Sequence, residues 1–189
     1  MAHTPPSARA ARGRSDGIGR PTSKAAERVS DALRRGSGAM VRRRRRAAGL
    51  TLAACGSMGV VALYQFGLVR HLPEPPASWL HSDRVDAAGE AYALGLTPDT
   101  ALALSSYGVT LALIGMGAED RAERHPWMPI LQALKLAIDA AGGAYLTLEQ
   151  ASKHRAFCFW CLMATGATAA AVPYSLPEAR AALRRIRGA

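Results

Sequence analysis

The chain has 189 residues, 49% of them hydrophobic and 20% charged, and its 24 basic and 14 acidic side chains leave a net charge of +10. That length fits one domain, and three cysteines are too few for a disulfide scaffold. The basic residues sit beside long apolar runs rather than on a face interleaved with aromatics, which favours a membrane surface and argues against a nucleic-acid partner.

Residues 1–40 hold Pro, Ser, Gly, Ala and Arg with few large apolar side chains. Such a segment cannot offset its ordering entropy and is predicted to be a disordered basic tail, with a transient helix over residues 25–35 that Ser23 would cap. Arg42 to Arg46 is an unbroken basic run. It reads either as a nucleic-acid patch or, because an apolar stretch follows at once, as a cytoplasmic anchor.

Residues 47–69 carry no charge and at the helical rise cover about 35 Å, enough to cross a bilayer. A signal peptide is the rival, and Leu52-Ala53-Ala54-Cys55 resembles a bacterial lipoprotein cleavage box. Against that rival, the apolar run continues well past Cys55, which otherwise reads as a small packing residue.

Residues 70–99 are polar and begin extended at Pro73, Pro75 and Pro76. Within them Val85, Ala88 and Tyr92 recur at helical spacing, with Asp83, Asp86 and Glu90 elsewhere, so residues 82–94 are predicted to form a short amphipathic half-helix. Thr97-Pro98-Asp99 is a helix-start signal. Residues 100–118 form a second uncharged span rich in Ser and Gly, which permit close helix contact.

Residues 127–148 are a third span, opened by Trp127 and interrupted by Lys135 and Asp139. These two are four apart and share a face; they are either a soluble-helix or snorkelling pair, or a polar point in a bundle interior near a ligand. A fourth span runs over residues 157–176, with Pro173 predicted to kink its end, and residues 177–189 return to a basic tail with Arg180, Arg184, Arg185 and Arg187. Basic residues favour one side of the spans, so both termini are expected in the cytoplasm and the mouth of the fourth span on the outer face.

At that mouth lies Phe157-Cys158-Phe159-Trp160-Cys161-Leu162. Cysteines three apart on one helical turn can form a reducible disulfide. The alternatives are two small buried hydrophobes or a metal site, for which His154 is the nearest further ligand; no metal is expected, because no second ligand pair follows. An outward-facing pair sits where disulfides persist. Lys153, His154, Arg155 and the start of the fourth helix could hold a thiolate, or the three side chains could be interfacial anchors.

These features resemble the vitamin K epoxide reductase family in its bacterial form, over residues 47–176. The likeness rests on four apolar spans in matching order, on the CxxCL at Cys158 to Leu162, and on Ser82-Asp83-Arg84-Val85 followed by Tyr92-Ala93 and Pro98. The resemblance implies an all-α fold: an integral membrane four-helix bundle with a half-helix in the outer loop, spanning residues 41–177 between a tail at 1–40 and a tail at 178–189. It also implies a multi-pass protein of the cell inner membrane, surrounded by membrane lipid. Its chemistry would be thiol–disulfide exchange with a quinone (ubiquinone or menaquinone), with Cys158 meeting the thiol donor and Cys161 facing the quinone, near Phe157 and Trp160. The family's outer loop normally carries two further cysteines; this loop has none, and Asp83 stands near where one would be. The expected function is therefore a quinone-linked oxidoreductase served directly by a periplasmic thioredoxin-fold protein, or else a diverged, non-catalytic scaffold or assembly partner.

Overall fold

The computed structural model describes residues 23–188; residues 1–22 of the tail expected over residues 1–40 lie outside them. The described residues are mostly helical, with no strand among them; the one extended contact is an isolated bridge between Leu80 and Phe157. The helices are α1 (Lys24–Arg35), α2 (Ala39–Gln65), α3 (Ser82–Asp86), α4 (Asp99–Gly115), α5 (Arg121–Arg124), α6 (Trp127–Glu149) and α7 (Phe159–Arg187). A 3₁₀ turn at Gly89–Tyr92 and a π-helical turn at Gln150–His154 complete the chain.

Helix α1 forms where residues 25–35 suggested it, and the Ser23 hydroxyl accepts the Ala26 N–H at 3.1 Å. Helix α2 starts before the apolar run and takes Arg42 to Arg46 into its first turns. Its buried positions Ala47, Thr51, Ala54, Met58 and Val61 alternate steps of four and three, which draws one narrow seam along the helix. Helix α7 repeats the pattern with Ala164, Thr168, Ala171, Ser175 and Ala182. Small residues on both seams let the backbones approach closely. The long helices α2, α4, α6 and α7 close a ring in that α7 lies between α2 and α6, and α4 touches both of those from the other side.

Away from the seams the surface is apolar: Leu52, Leu102, Val109, Leu134, Ile138 and Met163 are all exposed. A stripe of large apolar side chains turned outward suits lipid rather than water. Of the four predicted spans, α2 and α7 are long and apolar enough to cross a membrane; α4 is apolar with 17 residues.

Two local expectations change. The half-helix predicted over residues 82–94 stops at Asp86, and the residues it buries are Ser82, Val85 and Asp86 rather than a Val85–Ala88–Tyr92 stripe. The fourth span, expected to end at residue 176 with a kink at Pro173, runs on: both Pro173 and Pro177 lie inside α7, which continues to Arg187 with Glu178, Ala179 and Ala182 still buried.

One end of the ring is closed by arginines. The Arg44 guanidinium is buried and donates to the carbonyls of Ile114 at 2.9 Å, Met116 at 3.0 Å and Gly117 at 3.0 Å, satisfying the last turn of α4. Arg121 is also buried; it grips Glu178 through two bonds of 2.8 and 2.6 Å, donates to the Leu113 and Met116 carbonyls, and meets Gln132. Gly117 makes this turn at φ +80°, where a Cβ would stand 3.0 Å from Arg121 Cβ and from the Met128 sulfur. The opposite end carries the cysteines and the loop of residues 66–98.

Candidate functional site: a dithiol beside a buried carboxyl

Cys158 is the N-cap of α7, and its sulfur accepts the Cys161 N–H at 3.2 Å, the place a Ser or Asp oxygen usually takes. Both cysteines, like Cys55, are free thiols. The Cys158 side chain is fully buried under the loop. Phe157 bonds Trp79 and His81 through its backbone, each at 3.0 Å, and the Ser82 hydroxyl accepts the Phe159 N–H at 3.0 Å. Gln150, on the π-helical turn, accepts the Cys158 N–H at 3.0 Å. Ser82 in turn donates to Glu74 at 2.5 Å and Asp83 accepts from the Leu72 N–H at 2.8 Å, with His71 on its other oxygen. Asp83, expected near where a loop cysteine would stand, therefore ties the loop to itself, and its neighbour Ser82 is among the loop residues that contact the CxxC segment.

Asp86 is the residue that the sequence pattern hides. As the last residue of α3 it turns inward and is 2% exposed. Its Oδ1 lies 3.6 Å from Cys161 Sγ, while Oδ2 is buried with no hydrogen-bond partner. Burial pushes its carboxyl up to about 6; hydrogen bonding from Cys158 offsets part of this, and the Asp99 charge adds to it. The Asp86, Cys158 and Cys161 donor atoms all lie within 4.8 Å of one another. Two thiols and one carboxyl are one protein ligand short of a closed zinc site.

A cavity of about 340 Å³ opens beside the trio. Met58, Tyr107, Ala164, Cys161, Asp86, Ser106 and Asp139 are among the residues that line it. Most of its wall area is apolar, but five carboxyl side chains (Asp86, Glu90, Asp99, Asp139 and Glu149) and His154 also border it. Lys135 and Asp139 do pair across one turn, at 2.5 Å, and the hydroxyls of Ser106 and Thr110 donate to the same carboxylate at 2.8 and 2.5 Å. The polar point expected in the interior thus borders the cavity.

The structure brings Cys158 and Cys161 together but puts the neighbouring aromatics elsewhere. Phe157 packs edge-on against Trp79, and Trp160 donates to the Pro73 carbonyl at 2.7 Å; neither lines the cavity. Of the three basic residues upstream, Lys153 pairs with Glu149 and His154 lines the cavity. Cys55 packs against the same apolar cluster as Cys161, from α2.

The sequence model of the vitamin K epoxide reductase family matches residues 46–176, most of the chain and all of this site. The chain belongs to that family. No curated protein and no solved structure matches it significantly. Membership supports a membrane protein with a quinone-linked, thiol oxidoreductase kind of function. A mainly apolar cavity with one cysteine in its wall fits a quinone ring.

Proposed function

We propose that this vitamin K epoxide reductase family member passes electrons from protein thiols outside the inner membrane to a quinone, through Cys158 and Cys161. The observation that carries this reading is Cys161 in the wall of a largely apolar cavity with Cys158 Sγ against its backbone N–H. A bound ubiquinone or menaquinone would supply the two-electron acceptor. Cys161 faces it; Cys158, at the positive end of α7, exchanges with the incoming thiol. Because Cys158 is covered by the Trp79–Ser82 segment, that segment moves aside during exchange with a thioredoxin-fold partner. In this reading α2, α4, α6 and α7 form a four-helix membrane domain, the chain before residue 41 and the end of α7 beyond residue 177 are on the cytoplasmic side, and lipid covers the exposed apolar stripes.

Quinone-dependent oxidation of a model dithiol by the purified protein tests this. Cys158→Ala and Cys161→Ala each abolish it, and full activity in both variants ends the proposal. The burial of Cys158 and the lack of loop cysteines favour one other reading, a scaffold with a vestigial CxxC. That reading expects both thiols to stay reduced in native membranes with quinone plentiful; maleimide trapping reads it directly.

A further inference from the structure

Asp86 has no role in the thiol exchange just described, yet it is the buried side chain with an unpartnered oxygen among the described residues. A carboxyl in that state is costly to keep unless it serves a purpose. It touches a reacting sulfur on one side and the cavity on the other. We propose that Asp86 is the proton-transfer residue of this site: it takes the proton of the Cys161 thiol and delivers it into the cavity as the electrons pass to quinone. The inference rests on the oxidoreductase reading and deepens it.

The balance closes without another reactant. Both S–H bonds break, the Cys158–Cys161 bond forms, and two electrons and two protons end on the quinone. Asp86 accepts the proton from Cys161 Sγ at Oδ1, while Oδ2 is held by no partner among the described residues; the residue also lines the cavity, so the carboxyl can hand on what it receives. Its protonation midpoint near 6 places it where both forms are populated close to neutrality. The groups that face it are the Cys158 and Cys161 thiols from the start of α7, Asp83 on its own helix and Asp99 at the start of α4. Glu90, Glu149 and His154 border the same cavity. All but His154 and the thiols are acidic, and none of the described groups that act on Asp86 is a cation that would lock it as a carboxylate.

The first measurement needs no quinone. The midpoint potential of the Cys158–Cys161 couple in the full-length protein is followed against pH in dithiothreitol redox buffers, read by maleimide mass tagging. Forming the disulfide removes the thiol that hydrogen-bonds Asp86, so the carboxyl's proton affinity changes with redox state. The wild type is expected to bend in slope near pH 6; Asp86→Asn loses the bend and Asp86→Glu keeps it. In the second measurement, quinone turnover by Asp86→Asn falls about 100-fold, with partial rescue in Asp86→Glu. An unchanged slope in Asp86→Asn overturns the inference, and so does a lost bend with undiminished turnover. Undiminished turnover in Cys161→Ala instead sinks the oxidoreductase reading, a result no Asp86 variant can imitate.

Discussion

Arg121 and Asp86 are both ionisable and both buried, at opposite ends of the helix ring, and the fold treats them oppositely. Arg121 has a partner for each of its nitrogens: Glu178, Gln132 and the carbonyls at the end of α4. Arg44 beside it is satisfied in the same way. Asp86 keeps one oxygen bare, offers the other to a thiol, and stands beside a cavity. Full satisfaction marks a group that holds helices together; a missing partner in an otherwise ordered site marks a group kept for chemistry. The arginine end therefore reads as the clamp and the cysteine end as the working face.

The comparison breaks first on activity. Cys161→Ser is expected to abolish quinone-dependent dithiol oxidation while leaving the thermal unfolding midpoint in detergent close to wild type. A large fall in stability instead would make the pair structural. Next comes the clamp. Arg121→Ala strands the buried Glu178 and the α4 carbonyls and is expected to cost about 3–5 kcal/mol, measured by thermal or denaturant unfolding, without altering the Cys158–Cys161 potential.

Asp86→Asn sharpens the contrast because its sign is opposite. The folded-state carboxyl is raised from 3.8 to about 6, so the folded protein holds a proton that the unfolded chain has lost. Wild-type stability is then fully present below about pH 4 and declines as pH rises through 6. Asn removes that penalty and is expected to stabilise by roughly 3 kcal/mol at neutral pH, with the gain vanishing towards pH 4; melting curves across that window check it. At the small end, Ser23→Ala removes the cap of α1 and is expected to cost about 1 kcal/mol of local helix stability. Amide exchange confined to residues 24–35 would register it, with neither end of the ring affected.

Much of the architecture was legible from the chain. Uncharged runs and helix-start signals located α2, α4, α6 and α7, since helix length and apolarity are properties of contiguous sequence. The CxxC was legible too, because its two sulfurs are local to one turn. The i, i+4 spacing of Lys135 and Asp139 announced their pairing, and their position bordered the cavity.

What escaped were contacts between distant segments. The sequence pattern groups Asp86 with the polar face of a longer half-helix; the helix is only five residues long, and Asp86 falls on the same buried face as Ser82 and Val85. Nothing in the spacing of Asp83, Asp86 and Glu90 distinguishes the inward carboxyl from the others. Arg44 and Arg121 looked like two more basic residues at a membrane surface, and their burial follows from the unpaired carbonyls at the end of α4.

Composition and periodicity alone determined that this chain makes apolar helices, that basic residues flank them, and that two cysteines share a helical start. Those are consequences of neighbours along the chain, where spacing sets which side chains meet. Only the tertiary structure decided that Cys158 lies beneath the loop, that Asp86 faces Cys161, and which arginines are structural. Each of those depends on where a distant backbone runs, and burial in a low-dielectric interior gives the resulting polar contacts their weight.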